Sequence, residues 1–109
     1  MISALTTQSM TSINMALCDQ FGQKFEVKRP HNISLILRQM DQLDNTSEQH
    51  KVAHAAYMIN KLKPFGACNL KTGALLAVRG REASTLMSVA GMLKHGADVK
   101  AIADALREA

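Results

Sequence analysis

The chain has 109 residues, 47% of them hydrophobic, 20% charged and 4% aromatic, with no Trp and seven Met. That length and balance describe one globular, helix-rich domain over residues 1–109 and exclude a disordered chain or a scaffold stapled by its two cysteines. Thirteen basic against nine acidic residues leave a net charge of +4, which admits an anionic partner yet is far below that of a histone-like polycation.

No apolar run has the length of a membrane span. The first twenty residues, "MISALTTQSMTSINMALCDQ", lack the basic start and unbroken apolar stretch of a secretory signal. Cys18 and Cys68 stand apart, form no CxxC, and read as small buried hydrophobes in a reduced, cytoplasmic compartment.

Residues 1–21 read as helical, with Ile13, Ala16, Leu17 and Phe21 on one face and Ile2 and Leu5 on an earlier turn or a separate one. Thr11 or Ser12 is the expected cap of its second part and Gly22 its stop. In "QKFEVKR", Phe25 and Val27 alternate with Lys24, Glu26 and Lys28, as a short strand or a loop would. Pro30 disfavours helical geometry at Arg29 and suits a first helical position, so a helix begins near residues 30–32. Ile33, Ile36, Leu37, Met40 and Leu43 form its apolar stripe; His31, Asn32, Ser34, Arg38 and Gln42 lie off it.

Thr46 or Ser47 caps a following helix through "SEQHKVAHAAYMINKL", with Val52, Ala55, Ala56, Ile59 and Leu62 inward. "KPFGACNLKTG" reads as irregular, and "GALLAVRG" as a short buried strand between Gly73 and Gly80. "REASTLMSVAGMLKHG" reads as a helix ending at Gly96. A last helix is capped by Asp98, with Val99, Ile102, Ala103 and Leu106 facing the core or a second subunit. The expected fold is mainly α, about five helices with at most a small sheet. Residues 10–43 form a helix-turn-helix-like part and 82–109 a C-terminal helical part.

Catalytic signatures are weak. There is no nucleophile elbow, no phosphate loop in "GACNLKTG", and no HExxH, so neither an enzyme nor a cofactor is expected. His50 and His54 at i, i+4 lack a third ligand by spacing, and a packing or solvent-exposed pair is the simpler reading. The charges are more informative. Lys61, Lys63, Lys71, Arg79 and Arg81 follow one another with no acid between them, and Lys24, Lys28, Arg29 and Arg38 form a second group around Glu26. Such segregation suits phosphate contacts, and from charge alone an ordinary solvated surface explains it at least as well.

A capped helix, a turn region and a helix opening at Pro30 also follow the order of a helix-turn-helix, whose second helix enters the major groove. His31, Asn32, Ser34, Leu35 and Arg38 are then the candidate base readers, and Lys28 and Arg29 phosphate contacts; an amphipathic core helix with a merely wet polar side explains the apolar stripe equally well. "MTSINMA" followed by "RPHNISLILRQMDQL" resembles the start of the phage regulatory protein Rha family, at Met10, Thr11, Ser12, Met15, Ala16, His31, Asn32 and Ile33. "YMINKL", "GALLAVRG" and "REASTLMSV" resemble its later segments more weakly, so the likeness spans residues 10–90. It implies a small winged-helix-like DNA-binding regulator of phage or prophage origin. The chain departs from that pattern through its inserted "QFGQKFEVK" and through residues 44–63, which read as helix rather than wing strand.

The expected function is thus a phage- or mobile-element-type transcriptional regulator on double-stranded DNA. His31, Asn32, Ser34 and Arg38 would read bases; Lys28, Arg29, Lys61, Lys63, Lys71, Arg79 and Arg81 would hold phosphates. A symmetric site would allow a homodimer. The alternative is a protein-binding antirepressor or inhibitor module acting on a host or phage protein through an exposed apolar patch.

Overall fold

The computed structural model describes residues 6–43, 47–78 and 83–108. Among them are six helices and no strand: α1 Thr7–Gln20, α2 Pro30–Asp41, α3 Glu48–Leu62, α4 Asn69–Ala77, α5 Ala83–Lys94 and α6 Val99–Glu108. The mainly helical, small-domain expectation holds.

Local chemistry sets most of the ends. α1 opens on a reciprocal cap between Thr6 and Ser9, in which the Thr6 hydroxyl accepts from the Ser9 N–H at 3.1 Å and the Ser9 hydroxyl from the Thr6 N–H at 2.8 Å. This places the cap before Thr11 and Ser12, the expected positions; the Thr11 hydroxyl instead donates back to the Thr7 carbonyl. α1 and α5 end alike. At Gly22 (φ 66°) and Gly96 (φ 79°) the chain turns left-handed, and the next N–H reaches back five residues, Gln23 to Cys18 and Ala97 to Met92. That pairing satisfies carbonyls a helix end leaves free. Ser47 caps α3 by accepting from the His50 N–H, and Asp98 caps α6 by accepting from the Ala101 N–H. Thr46 and Gly80 lie outside the described residues.

The apolar side chains gather in two clusters. One joins α3, α4, α5 and α6 around Ala56, Val78, Val89, Leu93, Ile102 and Leu106. The other joins α1, α2, α3 and α4 around Met10, Ile33, Ile36, Ile59, Phe65 and Leu76. α3 and α4 run through both, and their mutual contact is the most extensive between any two helices. Ala53 and Ala56 face one cluster and Ala55 and Ile59 the other, so the small residues of α3 let it be packed on two sides. α6 buries Ile102, Ala103 and Leu106 in the chain's own core.

Two expectations are corrected. "GALLAVRG" does not form a strand: its described part lies in α4 and its C-cap, Val78. α4 is buried nearly all round, at Asn69, Thr72, Gly73, Ala74, Leu76 and Ala77. Its apolar residues therefore form a run without helical period, which sequence reading cannot separate from a buried strand. Gly73 is not a strand boundary but the point where α4 touches α3; a Cβ there would lie 2.8 Å from the Ala56 carbonyl oxygen. In α1 the buried line is Met10, Asn14 and Cys18, while Ala16 is exposed and Phe21 is 47% exposed. Of the expected face, Ile13 packs against the core and Leu17 is half-buried, so the helix is rotated to bring Asn14 inside. Its amide donates to the Ala67 carbonyl at 2.8 Å and the Thr72 hydroxyl at 3.0 Å.

Candidate nucleic-acid interface

The basic residues singled out around Pro30 and Lys61 come from segments that the fold lays side by side. Pro30 is the first residue of α2, its missing N–H falling where a helix has none to use. The residues leading into it run against the turn that leaves α3. The Gly66 N–H donates to the Glu26 carbonyl at 2.9 Å, Val27 forms a single antiparallel bridge with Phe65, and the Lys28 and Arg29 N–H groups both donate to the Pro64 carbonyl. The alternation of Phe25 and Val27 thus yields one bridge rather than a strand.

Side chains complete the join. Arg29 Nη1 donates to the Lys63 carbonyl at 2.9 Å, and Asn32 Nδ2 to the Leu62 carbonyl at 3.1 Å. These are carbonyls at the C-terminus of α3, left without helical partners and carrying its partial negative charge. A guanidinium and an amide from the head of α2 satisfy them. Lys63, the C-cap, adopts the left-handed conformation (φ 47°). The turn beyond is closed by Asn69, which accepts from the Phe65 N–H at 3.0 Å and donates to the Phe65 carbonyl at 2.9 Å.

The outcome is an exposed corner carrying Lys28, Arg29, Lys61 and Lys63, with the positive end of the α2 dipole beside them and Glu26 as the acid of the same loop. Along α2, His31, Ser34 and Arg38 are exposed, while Asn32 and Leu35 are half-buried. Ile33, Ile36 and Met40 occupy the opposite, core side. Lys61 lies with its ammonium 5.7 Å from the Tyr57 ring centroid.

The remaining described candidate is placed elsewhere. Lys71, on α4, holds its ammonium 4.8 Å from the Phe21 ring centroid at the end of α1. Arg79 and Arg81 lie outside the described residues. α2 is braced mainly by α3 and touches α1 little, and residues 48–62 are helix rather than a wing strand. His54 Nε2 is 3.0 Å from Gln39 Oε1, joining α3 to α2. Burial, and then the neighbouring His50, hold its pKa below the usual 6.5. Among the described residues no three side chains are grouped as metal ligands, so His50 and His54 have no third partner there.

Sequence reasoning placed Arg29 and Asn32 among DNA contacts and missed their work as a clasp on α3. Nothing in the local pattern signals it, because the carbonyls they meet lie 30 and 34 positions away in sequence. No protein-family model, curated protein or solved structure matches this chain.

Proposed function

We propose that the chain is a small DNA-binding regulator of the phage or mobile-element type that grips duplex DNA with the corner where α2 meets the end of α3. The observation that carries this reading is the joining of the exposed Lys28–Arg29 segment to Lys63–Pro64 at the head of α2, with Lys61 exposed two residues earlier. Three of them, Lys28, Lys61 and Lys63, are available to hold phosphates, and His31, Ser34 and Arg38 line the outer side of α2 for base or backbone contacts. Arg29 and Asn32 act as positioning residues, fixing the direction in which α2 leaves the corner. The reading helix is the one implied by the likeness to the Rha family, with α3 taking the bracing role that a helix-turn-helix gives to its first helix.

A protein-binding antirepressor role is favoured by a different observation, the exposure of Met15, Phe21 and Met87. One experiment separates the two. The tagged chain is used to capture partners from a phage-bearing bacterial lysate, with and without nuclease. DNA that co-purifies and is lost with nuclease, leaving no stoichiometric protein, supports the DNA reading. A protein retained in equal amount after nuclease supports the alternative and refutes it.

A further inference from the structure

The sequence separates the chain's two cysteines widely, and the fold brings them together. Cys18 lies wholly buried on the last turns of α1. Cys68 is the residue that opens α4, half-buried, and held at φ 59° where glycine or asparagine would be the easier choice. One hydrogen-bond network pins both. Asn14, one turn before Cys18, donates to the Ala67 carbonyl at 2.8 Å and to the Thr72 hydroxyl at 3.0 Å; that hydroxyl donates to the Cys68 carbonyl at 2.7 Å. The Cys18 sulfur lies 3.5 Å from Asn14 Oδ1. Within this frame the network sets the Cys18 end of α1 against the Ala67–Cys68 turn. Burial, and then the adjoining Cys68 sulfur, hold the Cys18 thiol above its usual value.

We propose that Cys18 and Cys68 are a reversible dithiol site whose substrate is a low-molecular-weight disulfide such as glutathione disulfide, and whose product is an intrachain disulfide stapling α1 to α4. Exposure sets the order of events. Cys68, the accessible thiol, gives its proton to solvent and attacks one sulfur of glutathione disulfide. The oxidant's S–S bond breaks, one glutathione leaves, and Cys68 carries the other as a mixed disulfide. Cys18, deprotonated in turn, attacks the Cys68 sulfur and displaces the second glutathione. The chain gives up two electrons and two protons, and glutathione disulfide takes both to become two thiols. A buried thiol with a raised pKa is a poor attacker of outside reagents, which leaves Cys18 the resolving partner. No residue of the α2 corner takes part, so this inference does not depend on the DNA reading.

The test incubates the reduced, folded chain with glutathione disulfide, blocks residual thiols by alkylation, and reads intact mass and linked peptides. The expected product is a monomer lighter by two hydrogens, with no alkylatable thiol, a Cys18–Cys68 linked peptide, and full reversal by dithiothreitol. Cys18→Ala should stall with one glutathionyl group on Cys68, and Cys68→Ala should take up none while folded. A parent chain that keeps glutathione on Cys68 with Cys18 still alkylatable after denaturation overturns the proposal, as do disulfide-linked dimers. Should Cys18→Ala fail to fold, the parent peptide map and Cys68→Ala decide the matter alone.

Discussion

Alanine at position 73 should destabilise this chain, although alanine is the better helix former. In an open helix interior the change from glycine gains about 1 kcal/mol. Here the added Cβ would sit 2.8 Å from the Ala56 carbonyl oxygen and 3.2 Å from the Ala56 Cα, well inside the roughly 3.5–4 Å of an unstrained contact. The obstacle is backbone, so no side chain can swing away and α3 and α4 must separate. Both core clusters run through that pair, so the separation loosens packing on two sides. Overpacking of this kind costs about 1–3 kcal/mol, with the upper part of that range applying where backbone meets backbone. The net loss for Gly73→Ala is then about 1–2 kcal/mol, and each kcal/mol should lower the melting midpoint by about 4–8 °C in a domain near this size. Gly91→Ala is the control, since nothing lies within 4 Å of a Cβ at that α5 position; it should gain about 0.5–1 kcal/mol. Urea and thermal unfolding followed by circular dichroism give both values. A Gly73→Ala variant as stable as the parent, or a shift of the same sign in both variants, would refute the reasoning.

Asn14→Ala should lower unfolding free energy by about 2–4 kcal/mol, because it opens a cavity and leaves the Ala67 carbonyl and Thr72 hydroxyl without their donor; an unchanged urea midpoint would contradict its structural role. Asn32→Ala should cost about 1 kcal/mol through the lost bond to the Leu62 carbonyl. Its amide exchange should quicken at the end of α3, and a neutral variant would show that the clasp contributes nothing. For pH, the folded His54 pKa lies below its unfolded value of 6.5, from burial first and His50 second. The unfolded chain therefore binds the proton first, so this contribution is fully present above about pH 7 and is lost as pH falls through 6.5 toward the folded value. Stability measured across that window should decline on acidification, and His54→Gln should flatten the decline.

Much of the fold was legible because its signals are local. Pro30, Ser47, Asp98, Gly22 and Gly96 act on their own neighbours, and their helices begin or end accordingly. The stripe Ile33, Ile36, Met40 was readable for the same reason: α2 has one buried face and one wet face. α4 was not, since burial on nearly every side erases the period that distinguishes helix from strand. α1 was misoriented because hydrophobicity ranks Asn14 as an outward residue, and its inward position depends on Ala67 and Thr72, far along the chain. The candidate interface divides in the same way. Its cations and the exposure of His31, Ser34 and Arg38 follow from charge and helical phase. The clasp of Arg29 and Asn32 on the end of α3 is a long-range contact, and so is the meeting of Cys18 with Cys68.

The central claim is that the α2–α3 corner holds phosphates, and the salt dependence of duplex binding tests it most directly. Fluorescence anisotropy with labelled duplex DNA across a salt series gives the slope of log Kobs against log salt. Lys28, Lys61 and Lys63 together predict a slope of at least about −2.7, from roughly −0.9 for each phosphate neutralised. Lys28→Gln, and Lys63→Asn, chosen because asparagine accepts the left-handed conformation at that position, should each bring the slope about 0.9 closer to zero. Binding that is absent, insensitive to salt, or unchanged in both variants would contradict the claim.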